Sequence, residues 1–262
     1  MKKTNKIIII IIVVVVIYCL ILFFFLGGSK RISKEKNDVV LIVDQSTMWT
    51  YSKKHWTNVT LDESVEKLNW LKYNVYVDDK KIGNYYMWYD NSEWYLFDKD
   101  RNSINYDGEL FAYNSNYDIK INKFDVKDIN DFSYVEEVLK RNKLNNIDTS
   151  EYVVSSQVDI DIDNDGNEEE FYIISNSSIA LGDKNNFSII FMVKDDKIYN
   201  VYSEINKSSS TCLPYISKFI DIDEDNKLEL IVGCDSLNVN GNKKFLYKFT
   251  DENKYKIIIS NR

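Results

Sequence analysis

Hydrophobic positions change period twice along the chain. The first pattern is an unbroken apolar run from Ile7 to Leu26, twenty residues long. At 1.5 Å per residue such a run matches a bilayer core of about 30 Å, so it predicts a transmembrane helix. Lys2, Lys3 and Lys6 precede it and favour a cytoplasmic N-terminal tail, with the longer C-terminal part outside. The apolar core of a cleavable signal is shorter, about 7–15 residues, and ends in an A-x-A-like site. This run ends instead in Phe23-Phe24-Phe25-Leu26-Gly27-Gly28, so an uncleaved anchor is expected. Cys19 follows Tyr18 rather than a small residue, and reads as a membrane-buried thiol rather than a lipid-bearing one. Residues 1–26 are therefore read as tail and anchor, and the polar stretch 27–38 as a linker.

From residue 39 the apolar runs shorten to strand length. VVLIV (39–43) is one such run, and MWTYSKKHWTNVT (48–60) places aromatic flanks around a polar turn, a hairpin pattern. Residues 74–106 repeat it, with aromatic and β-branched runs separated by the turns DDKK, DNSE and DKDRN. One helix is expected near 133–144, where Ser133 and Glu136 have capping-box spacing and Val135, Val138 and Leu139 share a face. A second is expected over 61–73, with Val65, Leu68 and Leu71 on one face. Residues 39–150 thus form a β-rich region.

Residues 151–262 hold an internal repeat. VDIDIDNDGNEEEFYII (158–174) aligns with KFIDIDEDNKLELIV (218–232), sixty residues apart. FSIIFMVKDDKIYNVYS (187–203) resembles KFLYKFTDENKYKIIIS (244–260). Each unit reads as acidic loop, strand, connection and hairpin. Together these patterns predict a mainly β protein: an N-terminal transmembrane helix, then antiparallel hairpins and meanders with one or two short helices.

Charge narrows the partners. Residues 1–36 carry seven basic side chains and one acidic one, a net +6, so the whole chain's −8 leaves −14 on residues 37–262. An acidic outer part argues against nucleic acid and anionic lipid, and suits cations. The excess of Ile, Asn, Lys, Asp and Tyr, with one Pro and one His, points to an AT-rich bacterial genome. Outside the anchor the only cysteines are Cys212 and Cys234, which either bridge in an oxidising compartment or remain as buried thiols on strands.

The repeated loops carry the chemistry. Carboxylates at positions 1, 3 and 5 of a tight loop can converge on one hard cation, with a left-handed residue at position 6. The first loop supplies Asp161, Asp163 and Asp165, then Gly166, with Glu169 at position 9. The second supplies Asp221, Asp223 and Asp225, then Asn226, with Glu229 at position 9. Asn tolerates the left-handed region best among non-glycine residues, so the first loop is the stronger candidate. An EF-hand is excluded, because position 12 is Tyr172 or Val232 rather than Glu and the flanks are strand-like. The competing reading is an acidic surface turn with no ion.

The pattern D-x-D-x-D-[G/N]-x-x-E before alternating apolar residues resembles the FG-GAP/VCBS-type repeat. The resemblance implies propeller-like β units in the C-terminal half. It also implies a Ca²⁺ held by Asp161, Asp163, Asp165 and Glu169, and another by Asp221, Asp223, Asp225 and Glu229.

Other chemistry finds little support in the sequence. His55 is the only histidine, no G-x-S-x-G or phosphate-binding glycine motif occurs, and paired carboxylates are unspecific in so acidic a chain. Trp49, Trp56, Trp70, Trp88 and Trp94 are expected as core rather than as a ligand platform. The expected function is a non-enzymatic, calcium-stabilised surface module, anchored in the cell membrane through residues 7–26. Its partner would be an extracellular protein or a glycan. The alternative is an envelope-anchored hydrolase with a carboxylate site.

Overall fold

A computed structural model describes residues 39–261 apart from 46, 53–54, 60–62, 92, 115–118, 130–131, 145–146, 148–151, 177–185, 207–211 and 236–242. The expected anchor and linker lie outside the described residues. Among those described, no helix is long and apolar enough to cross a membrane.

Residues Val39–Arg262 form one compact unit built of three antiparallel sheets. The first sheet holds β1 (Val39–Ile42), β2 (Met48–Ser52), β3 (His55–Asn58), β4 (Lys72–Val77), β5 (Lys80–Asp90), β6 (Glu93–Phe97), β7 (Ser103–Ile104) and β8 (Leu110–Asn114). Their spatial order is β3-β2-β1-β8-β4-β5-β6-β7. The turns DDKK, DNSE and DKDRN fall between strands as expected. At the first of them Asp78 and Asp79 both take positive φ, 46° and 60°, the backbone of a tight turn that matches strand twist.

Two four-stranded meanders follow. One is β11 (Val153–Ile160), β12 (Glu169–Ser175), β13 (Asn186–Lys194) and β14 (Lys197–Asn206). The other is β15 (Leu213–Asp221), β16 (Glu229–Asp235), β17 (Lys243–Thr250) and β18 (Lys254–Ser260). Each gains a fifth strand from the preceding segment: β10 (Val126–Lys127) joins β11, and β9 (Lys120–Asn122) joins β15.

The sheets stack face to face, and strand alternation decides which neighbour each residue meets. Phe171, Ile173, Ile190 and Met192 of the first meander meet Phe219, Leu230, Val232, Phe245 and Tyr247 of the second. From the opposite face of the second meander, Ile220, Ile231, Leu246 and Ile259 meet Leu41, Trp49, Phe111 and Tyr113 of the eight-stranded sheet. A sheet covered on both faces needs apolar residues at both parities, which explains the continuous runs SIIFMV and LIVGC. Polar cross-links join the second meander to the eight-stranded sheet. Buried Lys218 pairs with Asp79, Asn58 Nδ2 donates to the Ser260 carbonyl at 2.6 Å, and Asn261 Nδ2 donates to Thr47 Oγ1 at 2.7 Å.

The helices differ from expectation. The one expected over 61–73 is a single turn, α1 (Glu63–Glu66), and the chain is extended again by Lys72. Val65 and Leu68 are buried, but Leu71 is exposed, because β4 pairing begins directly after it. Helix α2 (Ser133–Arg141) does bury Val135, Val138 and Leu139, against the outer face of the first meander. Its N-cap is Phe132, which makes no side-chain cap bond, so the expected capping box does not form. Ser133 is already inside the helix, and Glu136 N–H bonds to the Phe132 carbonyl.

Candidate functional site

The acidic loops link β11 to β12 and β15 to β16. The carboxylates build each loop by accepting backbone N–H groups that would otherwise be unpaired. Asp161 accepts from Asp165 and Gly166, at 3.2 and 3.0 Å, and Asp221 accepts from Asp225 and Asn226, at 3.1 and 3.2 Å. Asp165 and Asp225 accept from the residue two further on, at 2.8 and 2.9 Å. Glu169 and Glu229, each 1% exposed, accept from Ile162 and Ile222, at 3.0 and 2.9 Å. Gly166 and Asn226 take positive φ, 91° and 63°, as position 6 requires. Position 4 is left-handed too, at Asn164 and at Glu224, where the φ of 60° strains a residue other than glycine.

All eight predicted residues therefore lie in two equivalent loops or on the strand ends that bound them. Asp161, Asp163 and Glu169 each turn one oxygen into a group no wider than 4.8 Å, and so do Asp221, Asp223 and Asp225. Opposite ligands of a Ca²⁺ ion stand about 4.6–5.2 Å apart, so these all-oxygen sets fit a hard cation. The two loops are also joined, since Leu228 N–H donates to the Ile162 carbonyl at 2.8 Å.

Sequence reasoning missed a lysine at each loop. Lys194 Nζ pairs with Asp163 at 3.0 Å, with Asp165 at 3.2 Å and closely with Glu169. Lys248 Nζ pairs closely with Asp223, with Asp225 at 3.3 Å, and reaches Glu229 Oε1 at 3.6 Å. The repeat alignment hid this equivalence by setting Lys194 against Asp251. Sheet register places Val193 opposite Glu170 and Tyr247 opposite Leu230, an offset of three residues from that alignment. β17 runs further past its loop than β13 does before turning. The available signal was the residue facing position 9 across the next strand pair.

Burial raises the Glu229 carboxyl to about 8, with Ile222 N–H opposing the shift. Its Oε1 is buried and has no hydrogen-bond partner. Burial also raises Glu169, against the pull of Ile162 N–H and Lys194. For Lys194, burial favours the neutral amine, but bonds to Glu169, Asp163 and Asp165 outweigh it and raise the ammonium above its usual range. Lys248 is raised in the same way, chiefly through Asp223.

Cys212 and Cys234 form a disulfide with Cα atoms 5.4 Å apart. Both sit in the core between the meanders, and Tyr202 Oη lies 3.1 Å from the Cys212 sulfur. The tryptophans divide rather than forming one core. Trp49 and Trp94 are buried, Trp56 is half-buried, and Trp70 and Trp88 are exposed. The exposed pair pack on each other at 5.5 Å, with Phe97 5.0 Å and Arg101 5.2 Å from Trp70. They lie on β5 and beside it, toward the end of the eight-stranded sheet away from β1. His55 is exposed at the start of β3.

Compared with protein-family models, curated proteins and solved structures, the chain has no match.

Proposed function

We propose that the chain is a membrane-anchored, extracytoplasmic binding or structural module rather than an enzyme, and that calcium staples its C-terminal half. The observation that carries this reading is the convergence, in both loops, of the position 3, 5 and 9 carboxylates on one cationic point. Three carboxylates so placed keep an excess of negative charge beside one ammonium, which a divalent cation would neutralise more fully. The disulfide supports an oxidising compartment outside the cytoplasm. The run Ile7–Leu26 supports the anchor. Two stacked meanders, each with its acidic loop between first and second strands, support a kinship with FG-GAP/VCBS-like blades. The partner is a protein or glycan presented outside the cell.

The test is thermal melting of the full chain in detergent, in CaCl₂ and in EDTA. Calcium at a hundredfold over its Kd adds about 2.7 kcal/mol. Asp161→Ala/Asp163→Ala and Asp221→Ala/Asp223→Ala together should remove the gain. An identical melting temperature in calcium and chelator refutes the calcium staple.

A further inference from the structure

Each acidic loop carries a cation of its own. Lys194 follows Val193, which pairs with Glu170, so register brings it opposite Glu169. Lys248 follows Tyr247, which pairs with Leu230, and so stands opposite Glu229. In both loops the ammonium forms ion pairs with the oxygens at positions 3, 5 and 9 that calcium would need, the Lys248–Glu229 contact being the longest. Calcium requires those oxygens at about 2.3–2.6 Å, and a lysine charge bound to the same atoms would be held against it. One cation excludes the other.

The two lysines are held differently. Lys194 is 7% exposed, and its contacts to Asp163 and Asp165 are no longer than 3.2 Å, with Glu169 closer still. The Lys248 side chain is 38% exposed, and its contact with Glu229 stretches to 3.6 Å. Glu229 Oε1 stays buried without a hydrogen bond, an oxygen still wanting a ligand. Lys248 can swing into water when displaced, whereas Lys194, with its side chain 7% exposed, has less access to water.

We infer that Lys194 and Lys248 are built-in counter-ions that compete with calcium, Lys194 keeping the first loop closed and Lys248 leaving the second loop as the one that exchanges. The inference rests on the calcium reading above. It reverses the order expected from Gly166 and Asn226, because the lysines, not the turn residue, set access.

Calorimetric titration of the full chain in detergent with CaCl₂ tests it. Wild type should take up one ion, lost in Asp223→Asn. Lys194→Met should take up two. Lys194→Gln, one atom shorter than lysine but with an uncharged amide that still donates hydrogen bonds, serves if the methionine variant loses its circular dichroism. Lys248→Met should bind its ion roughly 10–100-fold tighter, as expected when a competitor that holds the site most of the time is removed. Two ions in wild type, or unchanged affinity in folded Lys248→Met, overturn the competition and leave the calcium reading standing. No ion in wild type or in any lysine variant overturns the calcium reading itself.

Discussion

Replacing Glu229 by Gln should stabilise the calcium-free protein, although the residue is buried and hydrogen-bonded. Its carboxyl is raised from 4.5 to about 8 in the folded chain. Between those values the folded chain holds a proton that the unfolded chain has released. Stability from this group is complete below about 4.5 and is lost as pH rises through about 8. At about 1.36 kcal/mol per unit, ionisable Glu229 costs about 3 kcal/mol at pH 7 and about 5 kcal/mol at pH 9. Gln keeps an acceptor for Ile222 N–H and does not ionise. The variant should therefore match wild type near pH 4.5, exceed it by about 3 kcal/mol at pH 7, and exceed it further at pH 9. Urea midpoints of the full chain in EDTA at the three pH values measure this. Calcium should reverse the ranking, because the wild-type carboxylate gains a ligand and the amide gains less. A variant weaker than wild type at pH 7, or a gap that does not change with pH, would refute the argument.

Other outcomes follow from the same geometry. Cys212→Ser/Cys234→Ser opens a bridge between residues 22 apart. It should cost about 3 kcal/mol, a drop of roughly 10 °C in a domain of this size by thermal melting. Trp94→Ala should cost about 3–5 kcal/mol by urea denaturation, since its ring lies in the core of the eight-stranded sheet. Trp88→Ala should cost less than about 1 kcal/mol, because its ring is partly in water. If Trp88→Ala proves as costly as Trp94→Ala, the assignment of Trp88 to an open surface is wrong.

Local pattern went far in this chain. The turns at Asp78-Asp79, Asn91 and Asp98–Asn102, the loop residues, the left-handed Gly166 and Asn226 and the apolar face of α2 all follow from neighbouring residues. They are legible because turn backbone and short-range hydrogen bonds depend on residues a few positions apart. The eight predicted carboxylates are together for the same reason: each loop folds on its own Asp161 or Asp221.

Tertiary structure decided what lies further apart. Ser133 has capping spacing, but the chain enters the helix one residue earlier, and the 61–73 pattern yields to the pairing of β4. The tryptophans share one composition-level signature, yet the stacking of sheets covers Trp49 while Trp70 and Trp88 stay open beside β5. Pairing of β15 with β16 places Cys212 near Cys234, and the stacking joins the loops through Leu228 and Ile162. Above all, Lys194 and Lys248 reach the acidic loops only through pairing of the second strand with the third. Sequence alone therefore determined that carboxylates crowd together in each loop. That a lysine ammonium meets them there was decided by register, since antiparallel pairing sets a residue's neighbour by the sum of two positions rather than by their spacing.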